Sequence, residues 1–186
     1  MYIAKNKRKE NIAEYILYLW QLEDLLRALQ FSPEAVYNTL VKPRGLERAA
    51  EEELLEWYMG VIELLEKEDK TEHGHLDHTL HLIADLHDLH LELLKIPAGK
   101  CYREVYATVA PELPRLRKAL KAGEVSDTEL LFRALYAVML YRIKGDEDAH
   151  KAFIKDVLEV VSPLVAELAA IYRGAEQGEI DLAAGE

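Results

Sequence analysis

Residues 126–145, SDTELLFRALYAVMLYRIKG, decide the fold. Ser126-Asp127-Thr128-Glu129 has the spacing of a capping box, in which the serine and glutamate side chains satisfy orphan amides at a helix start. Gly145 supplies the matching stop. Between them Leu130, Leu131, Phe132, Leu135, Tyr136, Val138, Met139, Leu140 and Ile143 leave hardly any polar face. A helix that is apolar nearly all round belongs inside a core rather than on a surface. The stretch therefore predicts a largely buried central helix near 127–144.

The flanking chain shows the same helical period. Upstream, residues 11–30 place Ile12, Ile16, Leu19, Leu22 and Leu26 on one face, with Tyr15 and Trp20 at its flanks. Ser32-Pro33 then restarts a short helix, serine as N-cap and proline as its first residue, and this helix stops near Lys42-Pro43-Arg44-Gly45. A third helix over 46–67 turns Ala50, Leu54, Trp57, Val61 and Leu64 inward and Glu52, Glu56, Glu63 and Glu66 outward. A fourth, over 74–95, ends at Pro97 and Gly99. Residues 102–122 are interrupted by Pro111 and Pro114, which break or kink a helix. The last helix runs from 149 to 172, bent at Ser162-Pro163. No strand-period alternation occurs, so the fold class is all-α: a single-domain bundle of about seven helices over 1–174, followed by an acidic, disordered tail over 175–186.

Half of the residues are hydrophobic and 31% charged, the balance of a globular domain. The first residues read as no secretory signal, because charge begins where an apolar core should lie, and one cysteine, Cys101, suits a reducing cytoplasm. A net charge of −11 opposes non-specific nucleic-acid binding, which depends on neutralising phosphates. Against that trend, Lys5, Lys7, Arg8 and Lys9 form a basic patch that could contact RNA or an acidic partner. Between Glu47 and Glu72 ten acidic residues face three basic ones, the pattern of a solvated helix face.

Six of seven histidines fall within residues 73–90. Helical spacing divides them. His78 and His81 share a narrow polar face with Asp85, Asp88 and Glu92, where such pairs chelate a cation opportunistically or merely decorate a surface. His87 and His90 project into an apolar arc of Leu76, Leu80, Ile83, Leu86, Leu91 and Leu94. His73 and His75 precede the helix and stand apart. On the first helix Glu23 sits at the centre of the apolar face, where an ionised carboxylate is costly without a partner. One constellation follows, Glu23 meeting His87 or His90 in the interior. As a structural hydrogen bond it would include Arg27 engaging Glu23 from one turn away. As a metal site it would offer two nitrogens and a carboxylate to a divalent transition metal, Zn or Fe.

Two further templates match in part. Glu72-x-x-His75 and Glu147-x-x-His150 match the carboxylate–histidine pair of di-iron bundles, but both fall at helix starts or in loops. His87-Asp88 matches the dipeptide of HD-type phosphohydrolases, without companion ligands from other helices. No glycine-rich phosphate loop or nucleophile motif is present.

Ala4-Lys5, the run Lys7-Arg8-Lys9-Glu10-Asn11-Ile12-Ala13-Glu14-Tyr15, Trp20-Gln21 and Glu23-Asp24 carry a resemblance. So do Gly74-His75-Leu76, Leu89-His90-Leu91, Leu93-Leu94-Lys95 and Ala134-Leu135-Tyr136. Together they resemble an uncharacterised bacterial family of all-helical proteins of about this length, classed as a domain of unknown function. The resemblance implies one intact domain without an assigned activity, and a family pattern that includes Glu23, Asp24, His75 and His90. The expected function is a non-catalytic protein-binding or assembly module, with a protein partner or a second copy as its ligand. The alternatives are a metal-dependent hydrolytic enzyme using Glu23, His87 and His90, and an RNA-associated factor using Lys5 to Lys9. No catalytic residue is assigned.

Overall fold

A computed structural model describes residues 7–180. The chain is 79% helical, with no strand among the described residues. Among the described residues eight helices follow one another: α1 (Ile12–Ala28), α2 (Pro33–Val36), α3 (Arg48–Lys67), α4 (Asp77–Leu93), α5 (Lys100–Val109), α6 (Leu113–Leu120), α7 (Asp127–Lys144) and α8. The last comprises Lys151–Asp156 and Ser162–Glu176, joined without a break by a π-helical turn at Val157–Val161. Among the described residues no helix is long and apolar enough to cross a membrane. Of the expected tail, residues 175–176 are still helical, and 181–186 lie outside the described residues, as does Lys5.

The serine caps and the glycine stop form as the sequence predicts, while the Glu129 carboxylate of the expected capping box bonds Arg133. Ser126 Oγ accepts from Glu129 N–H at 3.1 Å, Ser32 Oγ from Ala35 N–H at 3.3 Å, and Gly145 closes α7 in the left-handed region at φ 73°. At the bend expected at Ser162-Pro163 the helix widens into a π turn, because proline removes one amide and its ring crowds the carbonyl four residues back. Ser162 N–H reaches back five residues to Val157 O. Lys42, also followed by proline, makes the same bond to Tyr37 O after a π turn at Tyr37–Val41. One cause produces both turns.

The chain forms two compact units, one from described residues 7–8 and 14–80, the other from 9–13 and 81–180. In the first, Leu19, Leu22 and Leu26 of α1 join Val36, Val41, Tyr58, Val61, Ile62, Leu65 and Leu76 in one apolar cluster. The inward face of α3 differs from expectation: Leu65 is fully buried while Leu64 is 44% exposed and Ala50 is exposed. Its apolar arc is wide, so periodicity left the centre open, and Tyr58 and Ile62 set it. In the second unit α8 packs on α5 and α7, and α6 on α7. The buried residues of α7 lie in its first two-thirds, Thr128, Leu130, Leu131, Phe132, Ala134, Tyr136 and Val138, whereas Arg133 among them is exposed and Ile143 near the end is 61% exposed.

Three arginines fasten the loops by donating to backbone carbonyls. Arg27 bonds Lys70 O and Gly74 O, Arg103 bonds Leu93 O and Ile96 O, and Arg117 bonds Gly123 O and Val125 O. The planar guanidinium, with five donors, suits this use better than an ammonium.

Candidate functional site

The polar centre of the first unit is built where α4 begins. A helix start leaves amides without intrahelical acceptors, and two carboxylates from elsewhere in the chain take them. Glu23 Oε1 accepts from Leu76 N–H at 3.3 Å, and Glu68 Oε2 accepts from Asp77 N–H at 2.7 Å. Negative charge at this end is also favoured by the helix dipole. Glu23, which has no solvent exposure, gives its other oxygen to His75 Nδ1 at 2.7 Å. The His75 ring stacks on Trp20 with centroids 3.9 Å apart and planes 7° from parallel. Trp20 Nε1–H donates to Thr79 Oγ1 at 3.0 Å, and the Thr79 hydroxyl donates to Leu76 O at 2.8 Å. One buried carboxylate, one imidazole, one indole and one hydroxyl thus fix the first turn of α4. His75 keeps 20% of its side chain exposed, so the pair reaches the surface at one edge only.

This corrects three expectations. Glu23 pairs with His75, a residue helical periodicity set aside because it precedes the helix. Arg27 bonds Asp24 at 2.7 Å and the loop carbonyls, not Glu23, since one turn along α1 its long side chain reaches loop 68–76. Trp20, expected at the flank of α1, is fully buried.

The second unit holds the inward histidines. His90 is 2% exposed, and its Nδ1 shares a hydrogen bond of 2.7 Å with the Tyr102 hydroxyl. His87, half-buried, pairs through Nδ1 with Thr128 Oγ1 at 3.1 Å and stacks on His90 at 5.6 Å. Tyr106 meets the His90 ring edge-on at 4.8 Å. Burial, reinforced by neighbouring His87, lowers the His90 pKa, while Asp127 acts in the opposite sense. Burial also raises the pKa of Tyr102 above the usual phenol range. At neutral pH these groups are an uncharged imidazole and an uncharged phenol, joined in the interior. The apolar arc of α4 is centred on Leu82, Ile83, Leu86, Leu89 and Leu93, and Leu91, expected inward, is 40% exposed. An inward arc at i, i+3, i+4 and i+7 running from Leu86 through Leu89 and His90 to Leu93 puts Leu91 opposite.

A family model described as a domain of unknown function, DUF4924, matches residues 1–179. The chain belongs to the DUF4924 family. No curated protein and no solved structure matches it. In this DUF4924 chain the four residues marked by the resemblance take distinct places. Glu23 and His75 bond each other, Asp24 anchors Arg27, and His90 holds Tyr102.

Glu23 falls in the first unit and His87 and His90 in the second, each with the partners given above. Among the described residues of the DUF4924 chain, no group of three or more His, Cys, Asp or Glu side chains is placed to hold a metal ion. His78, His81, Asp85 and Asp88 are all exposed, as a solvated face requires; His78 Nε2 pairs with Tyr15 OH at 3.1 Å. In the basic patch Lys7 pairs with Glu14 at 3.0 Å, and Arg8 and Lys9 are exposed. Cys101 is exposed.

Proposed function

We propose that the protein is a non-catalytic helical module of the cytoplasm that binds a protein partner or assembles with further copies of itself. One observation supports this reading. Among the described residues, no buried side-chain nitrogen or oxygen lacks a hydrogen-bond partner. Catalytic and ligand sites commonly keep a polar group unsatisfied until the ligand arrives; here the polar interior serves helix capping and loop fastening. What faces water includes large apolar side chains, Leu25, Leu46 and Leu64 in the first unit and Leu91, Ile143 and Leu158 in the second. Surfaces of that chemistry suit a protein partner.

Sedimentation velocity and in-cell crosslinking of the wild type, Ile143→Lys and Leu64→Lys test this. The proposal expects one defined complex that at least one substitution removes while the thermal melt is unchanged. A strictly monomeric wild type without a crosslinked partner would sink it.

A second reading, a metal-dependent hydrolase with a Glu/His site, is favoured by the buried carboxylate behind the edge-exposed His75, an arrangement that can orient a histidine base. Elemental analysis of protein purified without an affinity tag separates the two. About one equivalent of Zn or Fe that His75→Ala removes would support the hydrolase, and less than about a tenth of an equivalent would reject it.

A further inference from the structure

Within the second unit, a cleft of about 320 Å³ is lined by Glu112, Arg115 and Leu116 on one side and Asp156, Val160 and Val161 on the other. Its size is at the lower end of the ~300–1,000 Å³ typical of small-molecule sites. The π turn that precedes Pro163 supplies the Val160 and Val161 wall. Leu116 and Val161 are buried, which makes the floor rigid and apolar.

The mouth carries both signs of charge. Arg115 Nε donates to Glu112 Oε2 and Nη2 to Asp156 Oδ2, each at 2.7 Å. Each carboxylate spends one oxygen in this way. These two bonds leave Glu112 Oε1, Asp156 Oδ1 and Arg115 Nη1 over. Two acceptors and one cationic donor therefore border an apolar floor, already set against each other. A simple anion entering this mouth meets two carboxylates, and a simple cation meets a guanidinium. A molecule with both heads on adjacent atoms answers all three groups.

We propose that this cleft binds a free α-amino acid with an aliphatic side chain. Arg115 Nη1 donates to the α-carboxylate, Glu112 Oε1 and Asp156 Oδ1 accept from the α-ammonium, and the side chain covers Leu116, Val160 and Val161. The site is separate from the apolar surface invoked for partner binding, and its test does not depend on that reading.

Isothermal titration calorimetry with L-leucine is the direct test, alongside 4-methylpentanoate, which lacks the amine, and 3-methylbutylamine, which lacks the carboxylate. Leucine is expected to bind with a Kd of about 0.1–1 mM, and each single-headed analogue at least about tenfold more weakly. Arg115→Gln and Val160→Trp, the latter filling the floor, should each weaken leucine binding by about tenfold or more, with thermal melts showing that both variants fold. Absence of heat from the wild type at about 10 mM leucine would overturn the proposal. So would an analogue that binds as tightly as leucine, or a folded Val160→Trp variant that keeps the wild-type affinity.

Discussion

Replacing His75 by alanine tests whether Glu23 is held as an internal cap for α4. The substitution leaves a carboxylate without solvent exposure facing only Leu76 N–H, at 3.3 Å. Stripping the partner from a buried carboxylate costs about 3–5 kcal/mol. The 20% exposure of the His75 side chain lets water into the gap and places the cost near the low end, about 3 kcal/mol. Loss of the stack on Trp20 adds about 1 kcal/mol. In a chain of this size each kcal/mol moves the melting temperature by about 2–4 °C, so His75→Ala should melt roughly 8–16 °C below the wild type. Glu23→Gln keeps one oxygen for Leu76 N–H and turns its amide N–H toward His75 Nδ1, which then accepts as the other tautomer, so it should cost only about 1 kcal/mol. Glu23→Leu combined with His75→Ala removes the stranded charge, and should be more stable than His75→Ala alone by about 2 kcal/mol. Urea titrations followed by circular dichroism on wild type, Glu23→Leu, His75→Ala and the double variant give the coupling directly. Additivity within about 0.5 kcal/mol would refute the pairing as an energetic unit.

The lowered pKa of His90 makes the unfolded chain the better proton binder. Its contribution to stability is therefore complete above the unfolded imidazole value of about 6.5 and is lost as pH falls toward the lower folded value. A pH series of urea titrations should show this loss in the wild type and a flatter profile in His90→Gln. Gly99→Ala would place a Cβ 1.9 Å from the Leu93 carbonyl oxygen, backbone against backbone. It should cost about 3 kcal/mol or more in a thermal melt. Gly60→Ala, in the middle of α3 with nothing within 4 Å of the new methyl, should instead stabilise by about 0.5–1 kcal/mol. Arg27→Lys keeps a charge beside Asp24 but loses the fork onto Lys70 O and Gly74 O; amide exchange across 68–76 should quicken and stability fall by about 1–2 kcal/mol.

The fold was legible because its signals are local. Serine caps at 32 and 126, the stop at Gly145 and the apolar face of α1 each depend on residues within a few positions of one another, and each is found in place. Face assignments held where the apolar stripe was narrow, as for Ile12, Ile16, Leu19, Leu22 and Leu26 on α1. They slipped on α3, where nine apolar side chains from Leu54 to Leu65 span an arc wide enough for two centres. The polar centre was only half legible. That Glu23 needs a partner follows from its position among Ile16, Leu19 and Leu26, and the cost of burying a charge makes that inference strong. The partner's identity does not follow, because His75 lies in a loop to which no helical period applies. Only the resemblance, which joined Glu23 and His75 in one pattern, carried a signal for it.

The histidines illustrate why clustering in sequence is a poor guide to shared chemistry. Nearness along a helix distributes side chains around its axis, so residues one to three apart can look into different surroundings. His75 sits ahead of α4 and is claimed by a carboxylate, whereas His78, less than one turn into the helix, is exposed and bonds a tyrosine hydroxyl. Two turns and more farther on, His87 and His90 are taken up by Thr128 and Tyr102. Each inward imidazole is matched to one hydrogen-bonding neighbour, and the neutral form of His90 is the one its burial favours. Metal ligation needs the opposite arrangement, several imidazoles or carboxylates turned toward one point with their second nitrogens oriented from behind. The same residue type has been used here as a set of separate struts, each fixing a place where α1, α5 or α7 meets a neighbouring segment of its own unit.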